Sequence, residues 1–200
     1  MAEPPAQIDF ENSVALALLR HRGTRAGTAV FLEDESRHIG AVMLPPDLHS
    51  VMKQAPLVVV EMPLEFRVEQ ILNDYIRTDL DDFEQRDGEA GFAAFGAGLL
   101  QSLQRIQRRL GMERYAVAQR LLRDALSAQQ RSGDLDLHRA WIELLLREYY
   151  DPMYEYQLGK SAQRVVFRGD WQAVLDWCVH ASTQPAATDA SVNPITTASA

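Results

Sequence analysis

The stretch TAVFLEDESRHIG, residues 28–40, runs an apolar segment directly into Glu33, Asp34, Glu35, Ser36 and Arg37. Acids at the carboxyl end of a parallel strand stand where open α/β sheets bind ligands, and beside a nucleotide they hold Mg²⁺ or orient water. The plainer reading is a solvated turn in which Arg37 pairs locally with one of the carboxylates. A second concentration is EYYDPMYEYQL, residues 148–158, with Tyr149, Tyr150, Tyr154 and Tyr156 around Asp151. At helical spacing Tyr150, Tyr154 and Leu158 share one face, and Tyr149, Met153 and Tyr156 another. Tyrosines stack on bases or line an apolar ligand's channel. They also pack helix corners well, with the hydroxyl left at the rim. The third is QRIQRRLGMERYAVAQRLLR, where Arg105 and Arg109 share a face and Arg108 is adjacent. Such a cluster suits phosphate or RNA, or else a soluble helix surface whose terminal arginines offset the dipole.

Other apparent motifs fall away. Gly159-Lys160-Ser161 imitates the end of a phosphate-binding loop, but Tyr154 stands where the first glycine is required. One cysteine, Cys178, excludes an internal disulfide and a multi-cysteine zinc site. Its neighbours Trp177 and Val179 suggest a buried thiol rather than a reactive one. His21, His38, His49, His138 and His180 are scattered without ligand spacing. No metal site, no Ser-His-Asp arrangement and no catalytic residue is assigned.

These groups have to be positioned by a chain of 200 residues with net charge −8. That length suits about one domain, and the charge means that any RNA contact must come from a local basic patch. Neither a signal peptide nor an apolar run of membrane-spanning length is present, so the cytoplasm is the expected compartment. The expected organisation is a loose N-terminus over 1–9, an α/β region over 10–78, a helical region over 79–163, a strand and helix returning over 164–180, and a disordered tail over 181–200. In the first region Phe10, Val14, Ala17 and Leu18 mark a helix, 28–32 a strand, Pro45-Pro46 a helix start and the run at 56–63 a buried strand. Gly111 and Gly133 close two long helices, and Asp170 caps a final one after the strand RVVFR. The fold class is α/β, with a thin parallel sheet of about three strands and a large helical part.

Several segments, in order, resemble the C-terminal part of the bacterial tRNA 2-selenouridine synthases, also called tRNA 2-thiouridine selenotransferases. They are FEN at 10–12, LEDESRHIG at 32–40, LP at 44–45, VVVEMPLEFRVEQILNDY at 58–75, RRLG at 108–111, WIELLLREYYDPMYEYQLGK at 141–160 and RVVFRGDW at 164–171. The resemblance implies a partial P-loop-NTPase-like sheet. It also implies a family architecture of a rhodanese-like domain with an essential cysteine, followed by a P-loop-like domain. Cys178 does not match that cysteine, and no phosphate loop is found. The family acts on 2-thiouridine at the tRNA wobble position, geranylating the sulfur from geranyl diphosphate and then introducing selenium from selenophosphate.

By the same resemblance, Glu33, Asp34, Glu35, Ser36, Arg37 and Arg67 would edge a nucleotide or diphosphate site. Arg105, Arg108, Arg109, Tyr149, Tyr150, Asp151, Tyr154 and Tyr156 would contact tRNA or a prenyl chain. The expected function is that of a transferase portion, inactive alone, either a truncated product or half of a split enzyme completed by a separate rhodanese-domain chain. The alternative is a non-catalytic tRNA- or partner-binding module.

Overall fold

Proline and glycine set several element ends, as the sequence suggests. The computed structural model describes residues 5–24, 28–34 and 36–183. Glu35, residues 1–4, part of the 23–27 connector and the expected tail from 184 onward lie outside the described residues. In chain order the elements begin with α1 (Gln7–Thr24), β1 (His38–Ile39), β2 (Val42–Met43), α2 (Pro46–Met52) and β3 (Leu57–Val60). Then come α3 (Leu64–Ile71), a π-helical segment (Leu72–Thr78), α4 (Asp79–Asp87), α5 (Gly91–Leu110) and α6 (Met112–Ser132). The chain closes with α7 (His138–Leu145), a second π-helical segment (Leu146–Tyr150), α8 (Asp151–Lys160), β4 (Val165–Gly169) and α9 (Trp171–Thr183). Two units result: Met62–Lys160, and the residues up to Glu61 joined by those from Ser161 onward.

The discontinuous unit carries the sheet. β3 and β4 pair in parallel from Leu57↔Val165 to Val60↔Gly169, with a register shift between Leu57 and Val58. The Glu61 amide extends the ladder by donating to the Gly169 carbonyl at 2.8 Å. On α1, Phe10, Val14 and Leu18 are half-buried, as their spacing suggests, while Ala17 is exposed. The Gln7 side-chain amide donates to the Met43 carbonyl at 2.8 Å and accepts from the Met43 amide at 2.9 Å. It thereby acts as a strand partner for β2. Asp170 caps α9 through its Oδ1, which accepts from the Ala173 amide at 2.8 Å. That helix runs to Thr183, past the expected start of the tail.

The three-strand sheet is corrected to two parallel strands among the described residues. Residues 28–32 form no strand, and Val30, Phe31 and Leu32 remain 45–52% exposed. Apolar, β-branched composition fits a pleated surface but supplies no ladder partner, and without one the segment is not a strand. Phe31 instead meets the Trp177 ring edge-on at 6.3 Å, and Trp177 stacks on Phe167 of β4 at 5.7 Å. The short antiparallel pair β1–β2 was not foreseen, being too brief for any alternation to register.

The unit Met62–Lys160 is helical throughout. Val68, Leu72, Ile76, Phe95, Leu110, Leu122 and Ile142 are buried together at its centre. α4 and α5 approach so closely that a Cβ on Gly91 would lie 2.6 Å from the Glu84 Cα. α6 stops at Gly133, whose left-handed conformation (φ +72°) lets its amide donate to the Gln129 carbonyl at 2.8 Å. Below that cap His138 is fully buried. Its Nε2 bonds Gln129 Oε1 at 2.8 Å, and its Nδ1 accepts from Trp141 Nε1 at 3.0 Å. An Nδ1 that accepts must carry no proton, so the ring is neutral with its hydrogen on Nε2. Burial drives its pKa down to about 4.

Candidate functional site

The acidic turn is held by basic residues that the sequence reading did not single out. Asp34 Oδ1 takes Lys53 Nζ at 2.9 Å and stands 3.8 Å from an Arg164 terminal nitrogen. Arg164, nearly buried, also donates from Nε to the Ala55 carbonyl at 2.8 Å and from a terminal nitrogen to the Met52 carbonyl at 2.9 Å. Lys53 and Ala55 precede β3, and Arg164 precedes β4. Asp34 is therefore tied to the amino ends of the parallel strands, whereas ligands of open α/β sheets lie at the carboxyl ends. Glu33 is exposed, and the Ser36 hydroxyl donates to the His38 carbonyl at 2.8 Å. The Arg37 carbonyl accepts from the Leu44 amide at 2.9 Å. These contacts describe a clasp on the first unit, built from charge and backbone.

Arg67 lies in the unit Met62–Lys160. From α3 its guanidinium grips Asp151, the first residue of α8, through two parallel bonds of 2.5 and 3.0 Å. This fork-to-fork geometry is the strong form of the arginine–carboxylate pair. It raises the pKa of Arg67 against the lowering effect of burial. The same bond holds the Asp151 carboxyl below its usual range, and the charge of Arg147 adds to the effect. A second tie joins Glu69 of α3 to Arg139 of α7 at 2.5 Å and to Arg77 at 3.3 Å. Arg139, then Arg77, lower the Glu69 pKa.

Tyrosines surround the Arg67–Asp151 pair in sequence and gather in space about Tyr150. The rings of Tyr149 and Tyr150 meet edge to face with centroids 4.9 Å apart. Burial raises the Tyr150 phenol, and Tyr149, Tyr154 and Tyr75 contribute in that order. Tyr75 and Tyr154 are about 60% exposed, so the cluster offers aromatic faces to solvent above a half-buried pair. Tyr156 stands apart, its ring under the Lys160 ammonium at 4.1 Å. Tyr75 was legible only as an apolar helix position. Its influence on the Tyr150 phenol spans 75 positions of sequence.

Tyr75 lies in the first π-helical segment, and Tyr149 and Tyr150 lie in the second. Such segments insert an extra residue into a helical turn and occur disproportionately at functional sites. In the first, the Thr78 hydroxyl donates to the Asn73 carbonyl five residues back, at 3.0 Å. Chemically, the site presents π-faces for a planar base or an unsaturated chain. Arg67 acts as a positioning group, because a carboxylate already occupies its fork. Cys178 is half-buried in α9 and burial raises its thiol pKa, which disfavours the nucleophilic thiolate. Among the described residues, no three His, Cys, Asp or Glu side chains come together as a metal site. No described helix is long and apolar enough to cross a membrane.

Arg105, Arg108 and Arg109 are exposed on α5, away from the tyrosine cluster in sequence. The structure thus brings Arg67 to Asp151, next in sequence to Tyr150, and leaves the arginine group exposed on α5.

Comparison with known proteins agrees with the sequence motifs. The family model for the tRNA 2-selenouridine synthase AAA domain matches residues 1–185. The tRNA 2-selenouridine synthase of Hahella chejuensis is 50% identical over 183 residues, covering 91% of this chain and 48% of the relative. That of Azotobacter vinelandii is 51% identical over 172 residues, covering 86% and 46%. That of Shewanella piezotolerans is 45% identical over 174 residues, covering 86% and 47%. The chain spans about half the length of the curated relatives it matches. No solved structure is significantly similar to it. The chain belongs to the tRNA 2-selenouridine synthase family.

Proposed function

We propose, from that membership, that the chain takes part in modifying the wobble uridine of tRNA, as a portion of a 2-selenouridine synthase that does not complete the transfer by itself. The observation that carries the reading is a match over nine-tenths of the chain to synthases of which it spans half. In this reading the relatives' remaining half supplies the sulfur-handling cysteine and the phosphate loop. A separate rhodanese-domain chain is one source of them. Cys178 is a poor substitute, since its thiol is partly buried and its pKa is raised.

The Tyr75–Tyr149–Tyr150–Tyr154 cluster is the proposed contact for the thiouridine base or the geranyl chain, with the Arg67–Asp151 pair holding α3 and α8 in place behind it. Aromatic stacking is worth about 1–3 kcal/mol per base in other proteins, enough to orient a nucleoside at a transfer site. Selenophosphate and geranyl diphosphate are the proposed co-substrates.

The test is reconstitution. The purified chain is incubated with 2-thiouridine tRNA, geranyl diphosphate and selenophosphate, alone and with the remaining half of the Hahella chejuensis relative, and digested nucleosides are identified by mass. Selenouridine should form only in the mixture, and Tyr150→Ala with Tyr154→Ala should lower its yield about tenfold or more. Product from the chain alone would refute its dependence on a partner. No product in any mixture would remove the transferase reading.

A further inference from the structure

We propose that the outer face of α5 is a docking surface for the phosphodiester backbone of RNA, with Arg105, Arg108 and Arg109 as its charged contacts. This rests on the tRNA reading above and adds the place of contact. In a chain of net charge −8, none of the 20 residues of α5 is Asp or Glu. The three arginines are exposed, with Gln101 and Gln104 beside them, and they lie opposite the buried Leu103 and Leu110. Arg105 donates to Gln101 Oε1 at 3.3 Å. Among the described residues, no ion pair ties any of the three to a carboxylate. Arginines that merely offset the helix dipole belong in the last turn. Arg105 precedes that turn, which holds Arg108 and Arg109.

Four acids of the same unit pack against the other end of α5. Asp79, Asp81, Asp82 and Glu84 lie on α4, which packs on the first turns of α5 through Phe83 against Phe95 and Glu84 against Gly91. Phe83 also reaches Gly98, and at 1.5 Å per residue Arg105 lies about 10 Å farther along the axis than Gly98. That is about one ~8 Å screening length of physiological salt, so the α4 carboxylates weaken the positive field at the arginines without cancelling it. An open groove of about 670 Å³ lies at the α5–α6 elbow, where Glu113 and Glu148 line it alongside Arg114 and Arg147. Arg114 is tied to Glu148 at 3.0 Å, so its charge is largely spent within the fold. Planar guanidinium forks match phosphate oxygens in two-point contacts, and interleaved glutamines add neutral hydrogen bonds to sugar and phosphate. A polyanion with regularly repeated charge fits this stripe.

Filter binding of an unmodified tRNA transcript to the whole chain, across a salt series, tests the proposal. Replacing all three arginines with glutamine should flatten the slope of log K against log salt by about 2–3, as each lost phosphate contact removes about 0.7–0.9. Affinity at low salt should fall tenfold or more, whereas R105K/R108K/R109K keeps the slope. R105Q alone and R108Q/R109Q should show intermediate slopes, which decides the matter even if the triple variant folds poorly. Absence of wild-type binding at low salt, an unchanged slope in the glutamine variants, or equally effective displacement by polyglutamate would overturn the inference. Reconstituted modification in which the triple glutamine variant keeps a wild-type KM for tRNA would also overturn it, while sparing the functional reading. Arginine-dependent binding without modification in any mixture would support the surface and refute the transferase reading.

Discussion

Phe95, Leu72 and Ile76 lie wholly inside the helical unit, while Val30, Phe31, Leu32 and Trp171 of the other unit keep roughly half of their surface in water. The two stretches of chain are comparably apolar to the eye, so composition does not separate them. In Met62–Lys160, successive amphipathic helices cover one another's apolar faces. In the discontinuous unit, Val42, Leu44 and Val174 are the apolar side chains buried among the described residues. Its parallel pair β3–β4 is the smallest sheet possible, and parallel strands reach their usual stability only when both faces are covered. Burial depends on partner elements more than on the amount of hydrophobic sequence.

The sharpest way to break this contrast is truncation at the two centres. Phe95→Ala should destabilise the helical unit by about 3–5 kcal/mol, read as a lowered urea midpoint. A change under about 1 kcal/mol would mean that this core is no better built than the other. Acid should act almost as strongly through His138. Its folded pKa of about 4 lies below the ordinary histidine value of 6.5, so the unfolded chain binds the proton first. Stability is then full above about pH 6.5 and is lost as pH falls toward 4, by up to about 3 kcal/mol. Urea midpoints at pH 7 and pH 4.5 check this, and a flat profile would show that the Gln129–His138–Trp141 network bears no such strain. The depressed carboxyls of Glu69 and Asp151 add a further loss only below their ordinary ranges, at still lower pH.

Gly91→Ala comes next, at about 1–3 kcal/mol, because the new methyl has to displace the α4 backbone. A neutral result would show that α4 yields easily. The smallest effect is expected in the thin unit, where Val174→Ala should cost about 1 kcal/mol. Alongside it, the amides of β3 should exchange with deuterium well before those of α5 and α6. Equal protection in the two regions would erase the distinction between them.

Legibility in the sequence followed the same division. The limits of α5 and α6 were readable because Gly111 and Gly133 act locally, and so was the α9 cap at Asp170. β3 and β4 were readable as apolar runs. The segment 28–32 was misread because a strand is defined by a neighbour, and no local pattern shows whether one is available. At the site, the tyrosine-rich stretch announced itself by composition. Pairing Arg67 with Asp151 across 84 positions, and adding Tyr75, required the fold. Arg164 and Lys53 escaped notice for the same reason, as basic residues unremarkable until Asp34 lies beside them. The π-helical segments leave no periodic trace, since one extra residue in a turn shifts the phase without altering the character of the sequence.

The bond between Arg67 and Asp151 also bears on how the chain can assemble. β3 and β4 are neighbours in the sheet, yet all of Met62–Lys160 intervenes between them in sequence. Pairing them from an open chain means closing a loop of roughly a hundred residues, with an entropic cost that grows as the logarithm of its length. Arg67 and Asp151 sit a few residues inside either end of the intervening stretch, and joining them short-circuits it to about twenty residues of free chain. The saving is about 1–2 kcal/mol, a large fraction of what so small a sheet can contribute. A helical insertion that clamps its own ends in this way lowers the entropic cost of pairing the strands on either side of it in sequence.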